Sequence, residues 1–322
     1  MGSPSFSELF TTLIIGTLVL PLNTLLTIIV TVIELLLKLV GARSKRPLKP
    51  STVLITGASS GLGAELAERY AKEGVTLYLT GRNVDALKTV SAVCTSKGAK
   101  VETKAADLGS SEGRLAFSSW VRERNSNLDL VIANAGISES TSGVAFDEIE
   151  EMSRRMVETN VSGVHATIYP AIEGMRKRGS GQVAIMSSLA GMAPLTGSAA
   201  YAASKSFVKT LGESLRWQLL RDGVSVNVIT PGFVDTPLTQ KNKFKQSGMV
   251  SLKDAGKIIV AGLANDEPVI AFPTSTFILA YLSSIVSPVV RDFIARNKVF
   301  GPGVSYMSKS KKKDASSSSK KE

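Results

Sequence analysis

Residues 56–67 read TGASSGLGAELA and continue directly from a short apolar run, Thr52 to Thr56. Three glycines, Gly57, Gly61 and Gly63, stand between that run and a helix-forming segment that opens on the last of them. Glycines so placed let the chain turn tightly and bring backbone N–H groups close to an anion such as a pyrophosphate at a helix N-terminus, where the helix dipole favours negative charge. A glycine-rich turn also occurs for purely structural reasons, so its meaning depends on the chain around it.

Outward from this turn, short β-rich runs alternate with longer amphipathic stretches. Strands are predicted at Thr52–Thr56, Thr76–Thr80, Val101–Ala105, Leu128–Ala133, Gln182–Met186, Val224–Ile229 and Val269–Phe272. Helices are predicted at Leu62–Lys72, Val84–Lys97, Gly113–Arg124, Ile149–Gly179, Ala200–Leu220 and Lys253–Ala264. Strand and helix taking turns, with the strands read as continuously apolar, predicts an α/β fold: a doubly wound, Rossmann-type parallel sheet of seven strands covered on both faces.

The chain has 322 residues and a net charge of +11, much of it in two clusters. One is Arg43, Lys45, Arg46 and Lys49. The other is the tail from Lys309, with Lys311, Lys312, Lys313, Lys320 and Lys321. The body between them is close to balanced, which argues against nucleic acid as a partner. With one cysteine, Cys94, and one histidine, His165, there is neither an internal disulfide nor a cysteine or multi-histidine metal site, and His165 reads as a packing or surface residue. No metal is expected.

No residue between Glu8 and Glu34 is charged. At about 1.5 Å per helical residue the run can cross a hydrocarbon core about 30 Å thick. It is read as a membrane anchor, either one kinked span or a hairpin, because Pro21 and Asn23 lie near its middle. The basic cluster after it places the following domain on the cytosolic side. The expected organisation is therefore anchor 1–42, basic linker 43–50, catalytic α/β domain 51–272, an apolar extension 273–302 acting as lid or membrane-interface segment, and a low-complexity basic tail 303–322.

Two further stretches bear on chemistry. The second strand ends LTGRN, with Arg82 where an acid would bind a ribose 2′-hydroxyl; a base there suits a 2′-phosphate and predicts NADP(H). Residues 187–207, SSLAGMAPLTGSAAYAASKSF, place Tyr201 and Lys205 four apart, on one face of a helix. Reduction of a carbonyl needs a proton donor with a pKa brought toward neutrality, and an ammonium one turn from a phenol favours the phenolate. Tyr201 is thus the candidate acid/base and Lys205 its modulator.

In order, TGASSGLG from Thr56, ADL at 106–108, NAG at 134–136, NVSG from Asn160, Ser188 thirteen residues before Tyr201, YAASK ending at Lys205, and PGFVDT at 231–236 resemble the classical short-chain dehydrogenases/reductases over about Lys49 to Phe272. The resemblance implies catalytic roles for Asn160, Ser188, Tyr201 and Lys205: Ser188 bonding the substrate oxygen, Asn160 supporting a water relay and Lys205 also holding the nicotinamide ribose. For cofactor binding it implies Thr56, Gly57, Ser59, Ser60, Gly61, Leu62 and Gly63 in the turn, with Arg82 beside them. Asp107 and Leu108 would lie near the adenine, Asn134, Ala135 and Gly136 would line the cleft, and Pro231, Gly232, Val234 and Thr236 would lie at the nicotinamide end.

The anchored layout is similar to membrane hydroxysteroid dehydrogenases and lipid ketone reductases, which implies a hydrophobic small-molecule substrate, a membrane lipid contact, and the endoplasmic reticulum or a lipid droplet as the membrane. A 3-ketodihydrosphingosine or 3-oxoacyl reductase is an alternative within the class, and an NADP(H)-binding membrane scaffold without turnover is one outside it. A homodimer or homotetramer is implied by resemblance alone.

Overall fold

The computed structural model describes Ile29, Val32 and residues 49–139, 146–194, 197–240 and 248–296. The anchor expected at 1–42 lies outside the described residues except for Ile29 and Val32, which are helical, and the basic tail lies wholly outside them. Among the described residues no helix is long and apolar enough to cross a membrane. The chain divides into two units, 1–46 and 47–322, and the second carries everything described below.

Seven parallel strands form one sheet in the order β3-β2-β1-β4-β5-β6-β7. They are β1 (Thr52–Thr56), β2 (Thr76–Gly81), β3 (Lys100–Ala105), β4 (Leu130–Ala133), β5 (Gly181–Met186), β6 (Val224–Pro231) and β7 (Val269–Phe272). The chain winds outward one way from β1 to β3 and the other way from β4 to β7. The crevice where a doubly wound sheet binds ligands therefore opens at the carboxyl ends of β1 and β4.

Burial follows the two-residue period of a strand. Val53 and Ile55 point to one face with Leu77 and Leu79, while Leu54 points to the other with Val131 and Val183. The first face is covered by α1 (Gly61–Tyr70), α2 (Val84–Ser96) and α7 (Leu252–Ala264) through Leu66, Leu87 and Ile259. The second is covered by α3 (Ser111–Arg122), α5 (Gly163–Arg178) and α6 (Ala199–Leu219) through Phe117, Ile168 and Leu215. Truncating any of these large buried side chains to alanine costs about 2–5 kcal/mol.

Three features depart from the sequence reading. β3, KVETKA, is not apolar: it is an edge strand with most of its side chains exposed, so only its neighbour β2 demands pairing from it. The single helix expected over 149–179 is instead α4 (Phe146–Val157), a wider π-helical turn over Glu158–Ser162, and α5. The extension after β7 folds as α8 (Thr274–Ile285) and α9 (Pro288–Arg296), with Pro288 opening the second.

The amino edge of the sheet is pinned by polar bonds. Asp129 accepts from the backbone N–H groups of Ser51 and Thr52 at 2.8 and 3.0 Å. Gln182 donates to Asn227 at 2.9 Å, Asn227 donates to Asp266 at 3.1 Å, and Arg216 holds both carboxylate oxygens of Asp266 at 2.8 and 3.1 Å.

Candidate active site

The carboxyl edge is built differently. Asn83, Ser110 and Ser251 cap α2, α3 and α7 by accepting from backbone N–H groups, whereas α1 has no side-chain cap and no acid in its first turn. Its first N–H groups therefore face the crevice, ready for an anion. The turn can come this close only because Gly63 has no side chain: a β-carbon there would lie 2.2 Å from the Gly57 carbonyl oxygen.

Behind the turn, Thr56 Oγ1 accepts from the N–H groups of Asn134 and Ala135 at 3.1 and 3.0 Å, and Asn134 Nδ2 donates to the Thr56 carbonyl at 2.9 Å. These bonds tie the end of β1 to the end of β4 and fix the crevice floor. At the end of β2, Arg82 is exposed and has no ion-pair partner among the described residues. Ser59 reaches across Gly81 next to it; a β-carbon on Gly81 would stand 2.9 Å from the Ser59 hydroxyl.

The candidate proton-transfer groups meet at the other end. The π-helical turn rotates Asn160 inward, where it is fully buried. Its amide clasps the backbone of Ile137 in both directions, accepting from N–H at 2.8 Å and donating to C=O at 2.9 Å. It also donates to Ser204 Oγ at 3.0 Å, which in turn donates to the Tyr201 carbonyl at 2.8 Å. Asn160 thereby locks α6 to the loop after β4.

Lys205 is buried, donates to the Met186 carbonyl at 2.9 Å, and lies 5.8 Å from the centre of the Tyr201 ring. Gly136 leaves it room: a β-carbon there would lie 3.2 Å from Lys205 Nζ. Burial pushes the lysine down to about 8. Burial also raises the Tyr201 phenol, and a hydrogen bond with the Ser188 side chain offsets only part of that rise. The sequence reading expected Lys205 to lower Tyr201; in the protein alone, burial dominates and only the Ser188 hydrogen bond works against it.

Ser188 Oγ also accepts from Ala190 N–H at 3.1 Å. Its neighbour Ser187 turns the other way and donates to the Lys205 carbonyl at 2.7 Å, so Ser187 positions the lysine while Ser188 faces the tyrosine.

Ser188, Tyr201 and Lys205 line one cleft of about 800 Å³ together with Gly57, Ser59, Ser60, Gly61, Leu62 and Arg82. The same cleft takes in the expected Asp107, Leu108, Asn134, Ala135, Gly136, Pro231, Gly232, Val234 and Thr236. Thr56, Gly63 and Asn160 do not line it; they stand behind it and hold its wall. Ser204 and the backbone of Ile137 and Met186 were not singled out from sequence. His165 lies away from the cleft, between the rings of Tyr169 and Phe207 at 5.3 and 5.6 Å, as the packing role expected of it requires.

The uncapped helix, the glycine cradle and the unpaired Arg82 fit an anionic dinucleotide, and the Ser–Tyr–Lys group fits proton transfer to a carbonyl beside it. Fold and site together define a dinucleotide-dependent oxidoreductase. Residues 51–247 match the family described as short chain dehydrogenase, and the chain belongs to that family.

An uncharacterized oxidoreductase of Myxococcus xanthus is 34% identical over 245 residues, 76% of this chain and 96% of that protein. Among solved structures, the short-chain dehydrogenase from Sphingobium yanoikuyae in complex with NADPH is 26% identical, with a TM-score of 0.65 over 78% of this chain and 94% of that one. Actinorhodin polyketide ketoreductase with NADPH is 25% identical, with a TM-score of 0.61 over 71% of this chain and 97% of the other.

Proposed function

We propose that the protein is an NADP(H)-dependent carbonyl reductase or alcohol dehydrogenase, tethered to a membrane by its N-terminal apolar run and acting on a lipophilic ketone or secondary alcohol. The observation that carries this reading is that one cleft holds Ser188, Tyr201 and Lys205 together with Arg82, which has no ion-pair partner among the described residues. Relatives of the same fold that bind NADPH support the cofactor. The uncharged stretch between Glu8 and Glu34, followed by a basic cluster, supports a bilayer tether with the catalytic domain on the cytosolic side, as at the endoplasmic reticulum or a lipid droplet.

A bound nicotinamide supplies or accepts the hydride at the carbonyl carbon. The chain handles the proton. Ser188 holds the substrate oxygen within reach of the Tyr201 hydroxyl, Tyr201 gives its proton as the carbonyl is reduced, and the Lys205 ammonium stabilises the phenolate left behind. Ser204 and Asn160 keep the helix that carries both groups from shifting. Exposed Tyr169 and Phe207 on α5 and α6 suit a second copy of the chain, in keeping with a homodimer or homotetramer.

The test is turnover by the full chain in vesicles, followed as NADPH oxidation across a panel of lipid ketones, for the native protein beside Tyr201→Phe. The variant should bind NADPH normally and lose at least a hundredfold in kcat, the scale of general acid catalysis. Equal rates in the two proteins would refute the assignment, and NADPH binding with no turnover of any carbonyl by the native protein would favour the scaffold.

A further inference from the structure

The segment after β7 is not part of the chemistry described so far, and its surface is anomalous. α8 has twelve residues, TSTFILAYLSSI, without one charge, and none of them is buried. Ile278, Leu279, Tyr281, Leu282 and Ile285 are all exposed, Leu279 by 65%. At 3.6 residues per turn they cover an arc of about 160°. A helix ordinarily turns its apolar stripe, about 100° wide or more, onto a core, whereas here the whole face is left exposed. α9 continues the surface with Val289, 78% exposed, and Val290.

Two of the hydroxyls of α8 are bonded to the helix itself. Ser283 and Ser284 donate to the carbonyls of Leu279 and Tyr281 at 2.8 and 2.6 Å, although both serines lie where water could serve them. Arg291 folds back from α9 and donates to the Val286 carbonyl at 2.8 Å, satisfying one of the groups left at the end of α8. Hydroxyls bonded to their own helix, and a helix end closed by a side chain, leave fewer polar groups to be stripped of water at an apolar boundary.

We propose that α8 and the adjoining face of α9 dock in the headgroup–acyl boundary of an anionic bilayer and form the entrance through which substrate reaches the cleft. The inference rests on the membrane-tethered, lipid-ketone reading above and adds the surface by which the catalytic domain meets the lipid. Charge argues for lipid over a second copy: the sequence after α9 continues with Lys298, Lys309, Lys311, Lys312 and Lys313, a polybasic run of the kind drawn to anionic headgroups.

Position argues for an entrance. The amino end of α8 packs against β7 and the turn at Leu189–Gly191, directly after Ser188. Pro273, immediately before α8, would lie 3.1 Å from a β-carbon on cleft residue Gly232. An apolar helix lying about 5–10 Å deep in the boundary would then begin at the wall of the active site.

The test places an environment-sensitive fluorophore on the full chain at Leu282→Cys, with Lys100→Cys on the opposite edge strand as control; Cys94 is buried. In mixed phosphatidylcholine and phosphatidylserine vesicles the Leu282 probe should shift to the blue and be quenched by lipid brominated high on its acyl chains, while the Lys100 probe should not. Leu279→Glu combined with Leu282→Glu should lower kcat/KM at least tenfold for a vesicle-borne ketone and leave a water-soluble ketone unaffected. A Leu282 probe that stays water-like overturns the proposal, as does one that shifts without lipid quenching and cross-links to a second copy. A quenched probe on a protein that turns over no carbonyl sustains the docking and refutes the activity; turnover with a water-like probe does the reverse.

Discussion

Arg82→Ala separates the cofactor reading from everything else in the fold. The side chain is exposed and makes no ion pair among the described residues, so its removal breaks no salt bridge and should leave the melting temperature unchanged. Its proposed partner is the 2′-phosphate that distinguishes NADP(H) from NAD(H), a doubly charged group that a guanidinium can bind with two hydrogen bonds. A hydrogen bond between charged groups contributes about 1.5–3 kcal/mol, and each 1.4 kcal/mol is tenfold in affinity, so NADPH should bind roughly 10- to 150-fold more weakly to the variant. NADH, lacking the phosphate, should bind both proteins within about twofold, well under the tenfold that 1.4 kcal/mol represents. Calorimetric titration of detergent-solubilised native and variant protein with the two nucleotides gives all four constants. Equal losses for both nucleotides would mean that Arg82 acts on the shared part of the cofactor. No loss for either would remove the charge argument, and tighter binding of NADH by the native chain would reverse it.

Other expectations follow from the buried lysine and from the amino edge. With Lys205 brought down to about 8, its ammonium is lost above that pH and no longer supports the Tyr201 phenolate, so kcat/KM for reduction should fall with an apparent pKa near 8; a profile flat to pH 10 would contradict this. Holding a lysine at about 8 instead of 10.5 costs the fold about 3 kcal/mol below pH 8, and stability recovers as pH rises from 8 to 10.5 because the unfolded chain binds the extra proton there. Lys205→Met should therefore unfold at higher urea, by about 2 kcal/mol once the lost bond to Met186 is deducted, while turnover disappears; a less stable variant would refute the argument. Burial alone would raise Asp266, but its bonds to Arg216 and Asn227 hold it below the ordinary carboxylate range, so its contribution is complete above about pH 4 and is lost as pH falls through its folded value. Asp266→Asn should cost about 1.5–3 kcal/mol in urea unfolding at pH 7 and progressively less as pH falls below the ordinary carboxylate range, with kcat unchanged.

The fold was legible because its strongest signals are local and repeated. Six of the seven strands are mostly apolar runs, and the turn at Gly57–Gly63 can be read against the strand before it. The π-helical turn was not legible: the amphipathic period runs through 149–179 almost unbroken, and one extra residue in the hydrogen-bonding loop changes which way Asn160 points without changing the composition. β3 was located but misjudged as apolar, since an edge strand needs only one partner and little burial. In the site, the Tyr201–Lys205 spacing and the family resemblance pointed to Ser188, Tyr201 and Lys205, which the structure brings into one cleft, yet could not say that Thr56, Gly63 and Asn160 would stand behind its wall. Ser204 carries no signal in a single sequence: its role depends on a residue 44 positions away. The direction of the Tyr201 shift was missed because sequence shows a neighbouring charge and hides the burial that opposes it.

The two edges of the sheet divide the work between stability and chemistry. At the amino edge each described polar group has its partner: Asp129 closes the start of β1, and Gln182, Asn227, Asp266 and Arg216 satisfy one another. At the carboxyl edge, groups are left open: a helix start without a side-chain cap, an arginine without a counter-ion among the described residues, and a lysine buried with a carbonyl in place of a carboxylate. The helix start and Arg82 are open to a ligand that brings negative charge to both, so ligand binding should stabilise the chain in proportion to how completely it fills that edge. A nucleotide carrying both the pyrophosphate and the 2′-phosphate engages both sites, whereas one lacking the 2′-phosphate leaves Arg82 as it was. The same asymmetry explains why a substitution such as Lys205→Met is expected to gain stability where it loses function, and why changes at Asp266 are expected to do neither more nor less than loosen the fold.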